Sequence, residues 1–166
     1  MDRFQKITHN SFVALFFLSL ILAGCASKSG EFRNSDQLGF NAQLGKAEDF
    51  KIHVGDYVLF DLDSSSIRAD AQQILMQQAQ WLNHYPEYTI TVEGHADERG
   101  TREYNLALGQ RRAVAVRDYL ISQGIASDRM QTISYGKERP VAFCDDVFCW
   151  SQNRRAVTVI NNLPNH

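Results

Sequence analysis

The chain has 166 residues, which is enough for one folded domain and a tail. Charged residues make up 22% of it and aromatic residues 11%, both ordinary values for a globular protein. The formal net charge is −2, and no stripe of basic and aromatic residues is present. We therefore expect no nucleic-acid partner.

The first 24 residues have the pattern of a secretory signal. Arg3 and Lys6 precede an almost wholly apolar run over residues 12–23. Such a run is short for a permanent membrane span, which needs about 20 apolar residues. We predict a lipoprotein signal peptide over residues 1–24, with an uncleaved membrane anchor as the alternative.

The apolar run ends in Leu22-Ala23-Gly24-Cys25, which resembles a bacterial lipobox. Small residues let a peptidase approach the bond, and the Cys25 sulfur would take the acyl-bearing (palmitate-type) diacylglycerol. Anchoring by more than one acyl chain is stable. Because no Asp follows the cysteine, the sorting rule of such lipoproteins implies the outer membrane, on its periplasmic side.

Residues 25–51 are rich in Ser, Gly, Asn, Asp and Gln and contain few apolar residues. This composition predicts a lipidated N-terminus followed by a flexible tether. We place the folded domain over residues 52–166.

The folded domain shows alternating strand and helix signals. The first strand ends at Phe60-Asp61, and Pro86 stops the helix that follows. The later elements are a strand at 89–93, a helix from Thr101 to Gly124, a strand at 130–135 and a strand around Val157 and Val159. The order β-α-β-α-β-β predicts an α/β (α+β) fold, a mixed sheet with its helices packed on one face.

The stretch GHADERGTREYNLALGQRRA, residues 94–113, contains a tight loop and a helix start. Gly94 and Gly100 bracket the loop, Thr101 is the predicted N-cap, and Glu103 suits the first turn of a helix. The predicted buried face consists of Leu106, Gly109, Ala113, Val116 and Leu120. Gly109 weakens a helix by about 1 kcal/mol relative to Ala, so we expect a close backbone contact there.

A second stripe on the same helix begins beside the loop and consists of Asn105, Leu108 and Arg112. Arg112 is predicted to face Asp97 across a shallow concavity. A guanidinium and a carboxylate held apart suit a zwitterionic ligand. A structural Asp97–Arg112 salt bridge is one alternative, and a metal site from His95, Asp97 and Glu98 is another.

Residues 94–113 are similar to the signature of the OmpA C-terminal-like domain family, and more closely to its peptidoglycan-associated lipoproteins. The resemblance covers residues 56–160. It implies binding of meso-diaminopimelate in the peptidoglycan stem peptide, with Asp97 for the ammonium and Arg112 for the carboxylate. It also implies secondary positions in the same pocket for Arg99, Asn105, Leu108, Phe60, Asp61 and Arg155.

The same resemblance implies a role in the Tol-Pal system, with a TolB-like periplasmic β-propeller protein as partner and functions in envelope integrity and cell division. No cofactor is implied. We expect no enzyme, because no Ser or Cys nucleophile adjoins a base. The alternatives are a lipoprotein of a secretion or other envelope assembly and a peptidoglycan-acting enzyme.

Cys144 and Cys149 depart from the family pattern in the loop between the last two strands. If the domain lies in the periplasm, the two thiols can oxidise, and we predict a disulfide. Closing so short a loop contributes about 2 kcal/mol in the chain-entropy model. Unlinked thiols and a zinc site remain alternatives, the latter short of ligands.

Overall fold

The structure is a computed structural model that describes residues 46–161. The predicted signal peptide, the lipidation site Cys25 and tether residues 25–45 lie outside the described residues. Within the described part, no helix is both long and apolar enough to cross a membrane.

Four helices and four strands make up the described domain. In chain order they are α1 (Ala47–Asp49, continued by a π-helical turn Phe50–Val54), β1 (Tyr57–Leu59), α2 (Ala69–His84), β2 (Ile90–His95), α3 (Arg102–Ser122), β3 (Met130–Gly136), α4 (Val147–Asn153) and β4 (Arg155–Ile160). A single 3₁₀ turn, Ser127–Arg129, precedes β3. The predicted β-α-β-α-β-β order is confirmed, and the two short helices α1 and α4 are additions to it.

The four strands form one mixed sheet in the order β1-β4-β2-β3. β2 and β3 are parallel, whereas β4 is antiparallel to both β1 and β2. α3 packs on β2, β3 and β4, and α2 packs on β1 and α3. The core between these helices and the sheet contains Leu75, Val92 and Ala113, so the predicted mixed sheet with helices on one face is confirmed.

The start and end of α3 follow the local signals. The Thr101 side chain accepts a hydrogen bond from the Tyr104 backbone N–H, and Gly124 adopts a positive φ of 93° just past the helix. The predicted buried face is wrong at Leu106, which is 42% exposed. The buried arc spans both predicted stripes, and at about 100° per residue Leu106 falls just beyond its edge.

Gly94 of β2 and Gly109 of α3 bring the sheet and the helix into backbone contact. A Cβ on Gly94 would overlap the Gly109 carbonyl oxygen, and a Cβ on Gly109 would lie 2.8 Å from the Gly94 oxygen. The close approach predicted for Gly109 is therefore confirmed. It holds the N-terminal half of α3 against the end of β2, where Asp97 follows.

The folded domain begins before the predicted boundary at residue 52. Phe50 is 1% exposed and packs edge-on against the ring of Trp81, with centroids 5.0 Å apart. The Trp81 Nε1–H donates to the Asp49 carboxylate at 3.0 Å. Residues 46–51, which the composition places in the tether, thus include part of the core, and Trp81 is a core residue.

Candidate functional site

A pocket of about 210 Å³ lies where the β2–α3 loop, the β1–α2 loop, the first turns of α3 and the residue before β4 meet. It brings together five of the residues predicted from sequence: Asp97, Arg99, Asn105, Leu108 and Arg112. Its remaining lining residues are Leu62, Asp63, Gly100, Tyr104 and Arg154. Asp97 and Arg112 thus share one cavity.

Arg112 forms the inner wall of the pocket and is itself closed to solvent. Its Nε donates to the Ser64 carbonyl at 2.8 Å, Nη1 to the His95 carbonyl at 2.7 Å, and Nη2 to the Asp61 carbonyl at 3.1 Å. The guanidinium therefore ties the β1–α2 loop to the end of β2.

Burial lowers the pKa of Arg112 to about 10, and the positive charge of Arg154 acts in the same direction. The carboxylates of Asp97 and Asp63 oppose this shift. The side chain therefore remains a cation at neutral pH, at a cost in desolvation that its three carbonyl partners offset in part.

Asp97 is the anion of the pocket and is 6% exposed. Its Oδ2 accepts from Arg99 Nη2 at 2.7 Å and from Arg154 Nη1 at 3.3 Å. Burial alone would raise the pKa of Asp97, but the hydrogen bonds from Arg99 and Arg154 outweigh burial and hold it below its ordinary value. The ion pairs of Asp97 are thus with these two arginines rather than with Arg112.

Arg99 is the most exposed of the three arginines in the pocket, at 37% of its side chain. Its guanidinium lies over the Trp150 ring of α4 at 4.0 Å. The Asn105 side chain donates to the Arg99 carbonyl at 2.7 Å and so fixes the loop backbone. Leu108, which is 5% exposed, supplies an apolar wall.

Three of the predicted site residues do not line this pocket. Phe60 is 1% exposed and lies in the core, with its ring 5.2 Å from the Arg112 guanidinium. The Asp61 side chain is 70% exposed and pairs with Arg68 at 3.2 Å. Only the backbone carbonyl of Asp61 reaches the site, through Arg112.

Arg155, the third of these residues, does not line the pocket either. It lines a separate cavity of about 450 Å³ with Tyr57 and Glu93, on the face of the sheet opposite α3. Arg154, one residue earlier, lines the pocket. Neighbouring residues of an extended chain point to opposite faces, so the exact start of β4 decides which arginine enters the site.

The polar residues missed from sequence come mainly from the β1–α2 loop and the first turn of α3. The Tyr104 hydroxyl donates to the Asp63 carboxylate and bridges these two segments across the mouth of the pocket. Leu62, 61% exposed, adds an apolar edge. Tyr104 follows the N-cap by three residues, which places it beside the loop and is the one sequence signal that could have found it.

His95, Asp97 and Glu98 do not come together as a metal site. The His95 ring lies on the opposite face of the sheet, 3.7 Å from the Glu93 carboxylate and beside the Tyr135 ring. Burial lowers the pKa of His95 to about 4, and the charges of Arg155 and Arg139 add to the shift.

The loop between β3 and β4 contains a disulfide between Cys144 and Cys149, whose Cα atoms are 5.5 Å apart. The Asp146 side chain caps α4 by accepting from the Phe148 and Cys149 backbone N–H groups at 2.8 and 3.1 Å. The buried Asn153 side chain accepts from two backbone N–H groups at the start of the loop. The loop ordered by these contacts meets Arg99 through the Trp150 ring of α4.

Comparison with known proteins identifies the family of this chain. The OmpA family profile matches residues 59–146. The peptidoglycan-associated lipoprotein of Brucella melitensis is 61% identical over 164 residues, covering 97% of this chain and 98% of the relative. That of Agrobacterium fabrum is 61% identical over 160 residues, covering 94% and 90%.

The chain belongs to the peptidoglycan-associated lipoproteins of the OmpA family. The crystal structure of the peptidoglycan-associated lipoprotein from Burkholderia pseudomallei matches with a TM-score of 0.66 and 43% identity, covering 70% of this chain and all of that one. This family is a structural, non-enzymatic one. The protein is accordingly a binding lipoprotein of the cell envelope rather than an enzyme.

Proposed function

We propose that this lipoprotein holds peptidoglycan without covalent chemistry, by binding the zwitterionic end of meso-diaminopimelate in the pocket around Asp97. The observation that carries the proposal is one buried carboxylate and three guanidinium groups lining a single open cavity of about 210 Å³. A free amino acid end carries one ammonium and one carboxylate, and the pocket offers a partner of opposite sign to each.

In this proposal Asp97 receives the ammonium of the ligand. The ammonium would displace Arg99 from Asp97, because the Arg99 side chain is the most exposed of the three arginines in the pocket. Arg99 would keep its contact with the Trp150 ring. Arg154 stays on Asp97, because its Nε is fixed to the Phe60 carbonyl at 3.1 Å. The Asp97 carboxylate would then exchange a charge-assisted hydrogen bond from Arg99 for one from the ligand ammonium, so it would stay stabilised in its buried position.

Arg112 and Arg154 receive the carboxylate. A guanidinium has five N–H donors, and Arg112 uses three of them on backbone carbonyls. The two N–H groups that remain belong to a side chain that is already immobilised, so their binding of the ligand carboxylate would cost little conformational entropy. Leu108 and the rim residue Leu62 would contact the aliphatic part of diaminopimelate.

The lipobox and the domain then act at two ends of one chain. Lipid on Cys25 would fix the protein to the periplasmic side of the outer membrane, and the folded domain would bind peptidoglycan. Membership of the family supports the further proposals of a TolB-like β-propeller partner and of a Tol-Pal role in envelope integrity and cell division.

Co-sedimentation with purified sacculi tests the site. Asp97→Asn keeps the shape of the side chain but removes its charge, and we expect retention to fall by about tenfold or more, as a charge-assisted hydrogen bond is worth about 1.5–3 kcal/mol. Asp61→Asn is the matched control, because its exposed side chain lies outside the pocket, and it should bind as wild type does.

Sacculi with amidated diaminopimelate separate the two halves of the ligand. They should bind wild type weakly, because the carboxylate partner of Arg112 and Arg154 is lost. Equal retention of Asp97→Asn and wild type, or equal binding of amidated and unmodified walls, would refute this assignment.

A further inference from the structure

A cluster of large apolar side chains is exposed on the loop between β3 and α4 and on the first turn of α4. Phe143 is 86% exposed, Phe148 72%, Val147 69% and Val141 55%. We call these four residues the apolar tip. Single exposed apolar residues are common, but several together on one short loop mark a surface that another molecule covers.

The apolar tip is held in place although it is exposed. The Cys144–Cys149 disulfide closes the loop that presents it, and Asp146 caps the helix that carries Val147 and Phe148. The Asn153 side chain fixes the backbone at Val141. Because the loop is already ordered, a partner that binds it would lose little further conformational entropy.

The exposed charges within the apolar tip are acidic, whereas Lys137, which lines a cavity with Phe143 and Asp145, donates its amine hydrogens to the Glu98 and Gly100 carbonyls. Asp145 and Asp146 are both exposed and lie between Phe143 and Val147 in the chain. Acidic flanks disfavour an anionic membrane surface, which attracts basic segments instead. They also disfavour a second copy of the same tip, since like charges would then face each other.

We propose that the apolar tip is a docking surface for a protein partner that has a shallow apolar depression bordered by Lys or Arg. Rigid aromatic side chains that enter such a depression are the usual centres of binding energy in interfaces, with charged pairs at the rim. The tip is separate from the wall-binding pocket but next to it, because Trp150 of α4 packs against Arg99.

Site-specific photocrosslinking of the full-length lipoprotein in intact cells tests this proposal. Benzoylphenylalanine is placed at position 143 or 148, and position 52 is the control because Ile52 is 74% exposed but lies on the π-helical turn after α1. We expect one discrete protein adduct from positions 143 and 148 and none from 52. Mass spectrometry of the adduct should map the contact to apolar residues flanked by Lys or Arg.

Two variants make the test specific. With the probe at 148, Phe143→Ser should lower the adduct by about tenfold, as expected for a buried aromatic anchor, and Asp145→Lys should lower it several-fold. The double variant Cys144→Ser with Cys149→Ser should also lower it, because the loop is then no longer closed.

Lipid adducts, self-adducts, equal labelling at position 52, or a contact mapped to an acidic partner surface would each overturn the proposal. Sacculus retention of Phe143→Ser should equal that of wild type, since this residue is outside the pocket. Failure of the docking surface and failure of the wall-binding site are therefore distinguishable.

Discussion

Replacing Arg112 by Ala tests whether this side chain is a structural residue as well as a ligand contact. The guanidinium is fully buried and satisfies the carbonyls of Ser64, His95 and Asp61. Taking about 1 kcal/mol for each orphaned carbonyl, the low end of the usual range, the loss is about 3 kcal/mol. A domain with a total stability of about 5–15 kcal/mol loses a large fraction of it.

The assay is thermal unfolding followed by circular dichroism, with sacculus retention measured at a temperature where each variant is folded. We expect Arg112→Ala to lower the Tm by about 10 °C, at roughly 4 °C for each kcal/mol. Arg111→Ala is the matched control, because Arg111 is the exposed neighbour on α3, and its Tm should change little. If both variants melt together with wild type, the three carbonyl contacts do not stabilise the domain and the reasoning is wrong.

Two further predictions concern stability, and a third concerns the disulfide. Gly109→Ala should destabilise the domain in urea titrations although Ala is the better helix former, since its Cβ would lie 2.8 Å from the Gly94 carbonyl oxygen; a gain in stability would contradict the close contact. The folded-state pKa of His95, about 4, is below its ordinary 6.5, so the unfolded state binds more protons and stability should fall as pH drops from about 6.5 to about 4. His95→Phe should flatten this part of the profile, and an unchanged slope would point to other groups. Alkylation of protein taken from cells under non-reducing conditions should leave Cys144 and Cys149 unmodified, and free thiols would refute the bridge.

Features that depend on neighbouring residues could be predicted from sequence. Thr101 caps α3, Gly124 follows its end, and the β2–α3 loop presents Asp97, because caps and turns are decided within a few positions. A close backbone contact at Gly109 could also be predicted, since a glycine in a helix interior needs a packing reason, but its partner Gly94 could not.

Features that depend on residues distant in the chain could not be predicted from sequence. The carbonyl partners of Arg112 lie 17, 48 and 51 positions away in the chain, and no sequence pattern near Arg112 indicates them. The choice between Arg154 and Arg155 depends on where β4 begins, which periodicity locates only within a few residues. Phe50 lies in a polar stretch, so composition assigned it to the tether, whereas Trp81 buries it.

The position of β4 has a consequence for how the protein is made. This strand is synthesised last, yet it lies between β1 and β2 and supplies the partner that β1 pairs with in the sheet. A chain emerging from its N-terminus can therefore assemble the β2–β3 pair with α3, but it cannot close the sheet until Ile160 has arrived. Pairing of this strand with both β1 and β2 is therefore the step that completes the sheet and commits the domain to its native state.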